Sequence, residues 1–330
     1  MRTIDWADGA VEIIDQTALP DRLTMLRLTT VEELVAAIKR LAVRGAPALG
    51  VAGALGVALA AYRHHDEPQV RAAAVRLVES ARPTAVNLVR GARRAAARIA
   101  DGPDAVLAEA LAIRDEEIAA SAAMATLGAD LLLELCGERP RLLTHCNTGG
   151  LATVAGGTAL GAVVELHRRG VLGAVVASET RPLLQGARLT AWELDRAGVP
   201  FRVAVDGAGP FLMARGEVDA VVLGADRICA NGDTVNKIGS YAHALGAQRA
   251  GIPFVVVAPE STVDLQTARG ADVEIEDRGT TEVLSRPGGG TVGPSGAQAA
   301  NPAFDVTPFD LITAIVTDRR VIRLDRGDQL

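Results

Sequence analysis

Hydrophobic and polar positions change rhythm twice along this chain. In residues 1–29 they alternate in short bursts, Val11-Glu12-Ile13-Ile14 and Leu23-Thr24-Met25-Leu26-Arg27-Leu28, separated by Pro20 and Asp21. Alternation with period two around a turn predicts a small antiparallel sheet. Thr30-Val31-Glu32-Glu33 then offers a cap followed by acids, which predicts a helix from there to about Leu41. Arg44-Gly45-Ala46-Pro47 interrupts the pattern, and Pro47 suits the first turn of a very apolar helix over 48–63. Further helical patterns cover 68–81 and 85–99, broken at Ala81-Arg82-Pro83-Thr84. Residues 104–135 read as one or two more helices. Arg44 and Arg82 both stand just before a helix start, where free amides favour an anion. Each also reads as an ordinary arginine in a helix–helix turn.

From Arg141 onward apolar runs recur at Leu142-Leu143, 173–177, 201–205, 220–223 and 254–257. Helical stretches over 151–169, 183–197, 209–216 and 241–251 separate them. Continuous β-branched runs alternating with helices predict a parallel sheet covered on both faces. The expected class is therefore α/β: a Rossmann-like C-terminal domain over 123–330 and a smaller N-terminal domain of short antiparallel sheet and helices over 1–122. The glycine- and proline-rich stretch 285–300 reads as a long loop, either a crossing arm or a lid.

Composition narrows the function. The 330 residues carry a net charge of −6 and 3% aromatics, which argues against a nucleic-acid partner. Three cysteines (Cys136, Cys146, Cys229) without a CxxC pair argue against a disulfide framework and fit a reducing cytoplasm. The N-terminus has no apolar signal core, and the apolar run 49–62 is too short to span a bilayer, so no membrane association is expected. No histidine spacing suits a metal, and neither GxGxxG after a strand nor GxxxxGK[ST] occurs, so no cofactor is expected. Lysine is rare: only Lys39 and Lys237 occur. Lys39 sits in an ordinary helical pattern, whereas Lys237 lies in Asp233-Thr-Val-Asn-Lys-Ile-Gly239, which reads as a polar turn before a small-residue helix.

The chemistry collects at strand ends. The run Leu142-Leu143 ends at His145-Cys146-Asn147, then passes Gly149-Gly150 into what reads as a glycine-opened helix. Later strands end at Ser178-Glu179-Thr180-Arg181, Asp206 and Asp226. In parallel sheets such ends converge on one crevice, so Cys146, Glu179, Asp206 and Asp226 are candidates to face a common space. A single cysteine or aspartate at such a place is otherwise a small buried side chain or a helix cap. A thiol and a carboxylate able to move protons, beside arginines, a lysine and amides able to hold phosphate, is what a sugar-phosphate isomerase needs.

Several stretches together resemble the methylthioribose-1-phosphate isomerases of methionine salvage, in the superfamily that includes the regulatory subunits of eukaryotic initiation factor 2B. They are Leu19-Pro20 after Asp15-Gln16, 43–50 (Val-Arg-Gly-Ala-Pro-Ala-Leu-Gly), 82–88 (Arg-Pro-Thr-Ala-Val-Asn-Leu), 144–150 (Thr-His-Cys-Asn-Thr-Gly-Gly), 179–191, 224–233, 236–239 (Asn-Lys-Ile-Gly) and 301–308. The resemblance implies a homodimer in which Cys146 and Asp226 are the catalytic pair. It implies that Arg44, Gly45, Ala46, Arg82, Gln185, Asn236 and Lys237 bind the substrate, without metal or cofactor. After Asn87-Leu88 the family usually has an aromatic residue, where this chain reads Val89-Arg90-Gly91-Ala92. That departure bears on the substituent at C5 and leaves isomerases of 5-deoxyribose 1-phosphate or ribose 1,5-bisphosphate as alternatives. A non-catalytic regulatory subunit and a nucleotide-cofactor enzyme are the other readings. Retention of both Cys146 and Asp226 argues against the first, and the missing glycine fingerprint against the second.

Overall fold

A computed structural model describes residues 2–82, 85–286, 289–294 and 296–330, so Pro83 and Thr84 of the second arginine turn lie outside the described residues. Strands β1 (Ile4–Ala7), β2 (Ala10–Ile14) and β3 (Met25–Leu28) form the expected antiparallel sheet. Helix α1 (Val31–Lys39) opens with a capping box: the Glu33 amide donates to Thr30 Oγ1 (3.2 Å), and the Thr30 amide donates to Glu33 Oε2 (3.1 Å). Helix α2 (Ala46–Arg63) is apolar all round and accordingly buried, with α3 (Pro68–Glu79) and α4 (Val86–Ala96) against it. The α2–α4 crossing depends on backbone contact: a Cβ on Gly91 would stand 2.0 Å from Gly50 O, and one on Gly53 2.3 Å from Leu88 O.

Helix α5 is a single helix, Pro103–Cys136. The expected 122/123 boundary falls inside it. Val106, Ala110 and Ile113 belong to the N-terminal core with α1, α2 and α4, while Met124, Ala129 and Leu132 pack beneath the large sheet. By length and composition α2 and α5 are each long and apolar enough to cross a membrane, although the apolar run 49–62 alone is too short. In this fold α2 is a core helix.

The large sheet comprises β4 (Arg141–Thr144), β5 (Ala174–Ser178), β6 (Phe201–Ala204), β7 (Ala220–Leu223), β10 (Phe254–Val257), β13 (Ala314–Val316) and β14 (Val321–Ile322). Its order is β14-β13-β10-β7-β4-β5-β6, parallel except for the edge strand β14. The chain steps from β4 outward to β6, then returns to β7 on the other side of β4. This is the doubly wound order, with its switch point between β4 and β7. Alternate residues explain the two covered faces. Leu142, Val175, Val222 and Val255 meet α5 and α6 (Ala159–Arg168), with α7 (Ala191–Arg196) at the same side. Leu143, Val176, Val221 and Val256 meet α8 (Ala208–Ala214) and α9 (Ser240–Ala250).

Three expectations are corrected. The helix after Gly149-Gly150 begins at Ala159, not Leu151; residues 149–158 are irregular, with Thr148 Oγ1 accepting from the Leu160 amide (3.1 Å). The helix expected over 183–197 is a π-helical turn, Gly186–Thr190, followed by the short α7. The segment read as a polar turn around Lys237 is a strand: β8 (Arg227–Cys229), β9 (Thr234–Lys237), β11 (Val263–Asp264) and β12 (Phe304–Thr307) form a third sheet in the order β11-β8-β9-β12. Its strands are too short and polar to announce themselves; pairing across about 70 residues makes them, with Phe304 opposite Lys237. Helix α10 (Thr280–Leu284) precedes the 285–300 stretch, whose described part turns back on α10 through Val292 N to Leu284 O (2.8 Å). Pro287, Gly288 and Ser295 lie outside the described residues.

Candidate active site

The switch point supplies the two reactive groups. Cys146 stands two residues beyond β4 and Asp226 three beyond β7, the neighbouring strands at which the winding reverses. Both line one cavity, together with Arg44, Gly45, Ala46, Arg82, Gln185, Asn236 and Lys237. All nine expected site residues thus meet in one space, although they come from six separate stretches of chain. Asn147, Thr148, Arg278 and Phe304 line it as well.

One end gathers groups that could hold an anion. Gly45 caps α2 at φ 94°, and a Cβ there would lie 2.2 Å from Ala152 O, so no larger residue fits. Ala46, the first residue of α2, lines the cavity with Arg44 and Arg82, and the first turn of a helix carries amides without intrahelical partners. Lys237, buried on β9, donates from Nζ to Ala303 O (2.7 Å) and lies 4.5 Å from the Phe304 ring centroid. Burial pushes its ammonium below the ordinary value, opposed by Cys146 and Asp226. Burial also lowers Arg82, with Asp226 opposing.

The other groups suit a polyol and a proton donor. Gln185 is buried, and its Oε1 has no hydrogen-bond partner among the described residues, leaving an acceptor for a hydroxyl. Asn236 Nδ2 is fixed by Ser240 Oγ (2.8 Å). Asp226 is open to the cavity, yet the protein crowded around it costs its carboxylate hydration and raises the carboxyl above 3.8, outweighing the nearby Lys237, Arg82 and Arg44. Among the described residues no cluster of histidine, cysteine and carboxylate has metal-site geometry.

Residues 42–323 match the initiation factor 2 subunit family. The chain belongs to that family. It is 53% identical over 319 residues to a methylthioribose-1-phosphate isomerase of Anaeromyxobacter dehalogenans, covering 97% of this chain and 92% of that one. It is also 53% identical over 332 residues to a probable bifunctional methylthioribose-1-phosphate isomerase/methylthioribulose-1-phosphate dehydratase of Nocardia farcinica; the match takes in 98% of this chain but only 60% of the length of that relative. In structure it is similar to the 5-methylthioribose 1-phosphate isomerase of Pyrococcus horikoshii, with a TM-score of 0.89 and 39% identity over 98% of this chain and 92% of the other.

In this member of the initiation factor 2 subunit family a second set of groups holds the first in place. Arg44 donates to Asn147 Oδ1 (2.9 Å) and Asn147 O (3.1 Å), and Asn147 Nδ2 donates to Glu193 Oε1 (2.8 Å). Glu193 is partly buried, lost hydration raises its carboxyl, and it also accepts from the Leu151 and Gly150 amides. The Gly149-Gly150 pair is corrected accordingly. The Gly150 amide donates to Glu193 and is not free for an anion or a thiolate, and a Cβ on Gly149 would strike the Glu193 carboxylate. Glu179 and Asp206 are not among the lining residues. Asp206 instead accepts from the Thr180 and Arg181 amides (2.8 and 2.7 Å). Sequence reasoning missed Arg278 and Glu193. Arg278 follows an irregular stretch without periodicity, and Glu193 looks like any acid on a helix; neither carries a local signal.

Proposed function

We propose that this chain interconverts 5-methylthioribose 1-phosphate, an aldose, and 5-methylthioribulose 1-phosphate, a ketose, without metal or cofactor. The observation that carries this reading is the single cavity shared by the Cys146 thiol, the Asp226 carboxyl and a cluster of Arg44, Arg82, Lys237 and the α2 N-terminus suited to an anion. Relatives named for that reaction, matched over nearly the whole chain, support it.

The C1 phosphate ester blocks ordinary ring opening to a free aldehyde. In the proposed route protonated Asp226 donates to the ring oxygen as the bond between it and C1 breaks, and C1 gains carbocation character stabilised by the ester oxygen. Cys146, as thiolate, takes the C2 proton, leaving an enediol whose double bond joins C1 and C2. Asp226 then recovers a proton from the C2 hydroxyl as Cys146 returns its own to C1, giving the C2 ketone. Each group ends as it began. Arg44, Arg82, Lys237 and the Gly45-Ala46 turn hold the phosphate, while Gln185 and Asn236 orient the hydroxyls. A direct hydride shift from C2 to C1 is the competing route.

The C5 end has its own environment. A chamber of about 280 Å³ adjoins the cavity at Gly45, Ala46, Arg82, Asp226 and Phe304. Leu49, Val86, Val273 and Ile275 give it apolar walls, and Asp272, Glu274, Glu276 and Arg227 also border it, so that with Asp226 and Arg82 its carboxylates outnumber its cations. Apolar walls with carboxylates suit an uncharged C5 substituent and oppose a second phosphate, which favours the methylthio or deoxy sugar over ribose 1,5-bisphosphate.

Turnover by purified protein, compared across methylthioribose 1-phosphate, 5-deoxyribose 1-phosphate and ribose 1,5-bisphosphate, tests the assignment. The methylthio sugar should give the highest kcat/KM and the bisphosphate the lowest. No ketose from any of the three would leave the non-catalytic regulatory reading standing. Run in D2O, the thiol route introduces deuterium at C1 of the product and the hydride shift does not.

A further inference from the structure

Cys146 adopts φ 61°, in the left-handed region that a side chain with a Cβ seldom enters. Such a conformation persists only where its surroundings over-determine it, and here both its peptide groups are held by hydroxyls from another connection. The Cys146 amide donates to Thr180 Oγ1 (2.9 Å), and Thr190 Oγ1 donates to Cys146 O (2.6 Å). Thr180 is fully buried, so no water replaces its oxygen. Its own backbone is left-handed too, at φ 65°, and its hydroxyl donates to Ser178 O (3.0 Å).

Asp206, at the end of the neighbouring strand β6, ties this connection down. Its Oδ1 accepts from the Thr180 amide (2.8 Å) and from Ser178 Oγ (3.1 Å), and its Oδ2 from the Arg181 amide (2.7 Å). The same connection continues to Gln185, whose free acceptor faces the cavity, and to Gly186. A Cβ on Gly186 would stand 1.7 Å from Ser178 O, so the turn is closed against the strand that begins it.

We propose that residues 178–190 form a brace, in which Asp206 fixes Thr180, and Thr180 with Thr190 holds Cys146 in its left-handed conformation so that the thiol points into the cavity. Thr180, Thr190 and Asp206 are positioning residues: they act on the reaction through the orientation of Cys146 and touch no substrate. This rests on the proposed role of the thiol, and it gives Asp206 a task that its place at a strand end alone did not reveal.

The test compares Thr180→Val, which keeps the shape and removes the hydroxyl, with Thr180→Ser, which keeps the hydroxyl. Two readouts are taken: kcat and KM for the isomerisation, and the pH profile of iodoacetamide alkylation at Cys146, followed on its own peptide to separate it from Cys136 and Cys229. Thr180→Val should lower kcat about 10- to 100-fold, as expected for a displaced reacting group, with KM within about threefold. It should also shift the alkylation profile, and Thr180→Ser should restore both. A Thr180→Val protein with lowered Tm but parental kcat and alkylation profile would make the residue merely structural and overturn the proposal. If Thr180→Val does not fold, Thr190→Val and Asp206→Asn, each loosening one arm of the brace, are read by the same criteria. If the parent turns over none of the sugar phosphates, the isomerase reading fails, and the alkylation profiles alone still decide the brace.

Discussion

At Asp226 lost hydration and nearby positive charge oppose each other, and lost hydration prevails. A carboxyl whose folded-state pKa lies above its unfolded value stabilises the fold fully below the unfolded value, and that contribution is lost as pH rises through the folded one. Asp226→Asn cannot ionise. Its Tm relative to the parent should therefore improve as pH rises, while its turnover falls by about 10²–10⁴-fold, the usual worth of a positioned general acid. Thermal melts over a pH series beside kinetics check both halves, and near-parental turnover would remove Asp226 from the proposed mechanism. Cys146→Ser should lose turnover similarly with its melt unchanged. Cys146, Asp226, Arg44 and Lys237 were legible because each is chemically unusual where it stands: a thiol or acid at a strand end, an arginine before a helix, a lysine in a chain with two. Arg278 and Glu193 were not, because their roles come from partners far along the chain.

Between elements, close backbone approach places the anion cradle. Helix α4 follows the turn that carries Arg82, and it reaches α2, which carries Gly45 and Ala46, only because Gly53 and Gly91 lack side chains. Gly91→Ala should force the helices apart, destabilise the protein by about 1–3 kcal/mol as overpacking does, and raise KM. Urea unfolding and steady-state kinetics measure the two effects; an unchanged KM would show that Arg82 does not depend on this crossing. Below the cavity, His145 and His243 lie edge to face, with His145 Nδ1 and His243 Nε2 3.3 Å apart. Burial lowers them to about 4 and about 3 from 6.5. Their lowered folded values mean that stability present above 6.5 is lost as pH falls toward 4. The Tm should drop across that window, and less steeply in His243→Gln. The long amphipathic helices and β-branched strands were readable from their periods. The irregular 151–158 segment reads as helix in the sequence because its small residues fit a helix equally well, and the bonds that prevent it run to Glu193 and Thr148.

For the whole molecule, the cavity lies where two cores meet. Arg44 and Arg82 come from the helical N-terminal part, and Cys146, Asp226 and Lys237 from the sheet part, while α5 belongs to both. We propose domains over 1–122 and 123–330 that share this helix as a rigid connector, assembled as a homodimer. A ligand spanning both parts should bind only the folded state. Inorganic phosphate at a hundred times its Kd should then add about 2.7 kcal/mol of stability. Arg82→Met should abolish most of the corresponding rise in Tm, and an equal rise in the variant would place the phosphate elsewhere.

The order of residues by itself determined the class of the fold, the small first sheet, the capped and apolar helices, and which side chains have reactive chemistry. Those follow from periodicity and residue type, which act over a few positions. Only the tertiary structure decided that nine dispersed residues share one cavity, that Lys237 sits on a strand, that Gly149 makes room for Glu193, and that Asp206 accepts from the Thr180 and Arg181 amides instead of lining the cavity. These depend on strand order and on contacts between groups tens to more than a hundred residues apart, which no local pattern encodes.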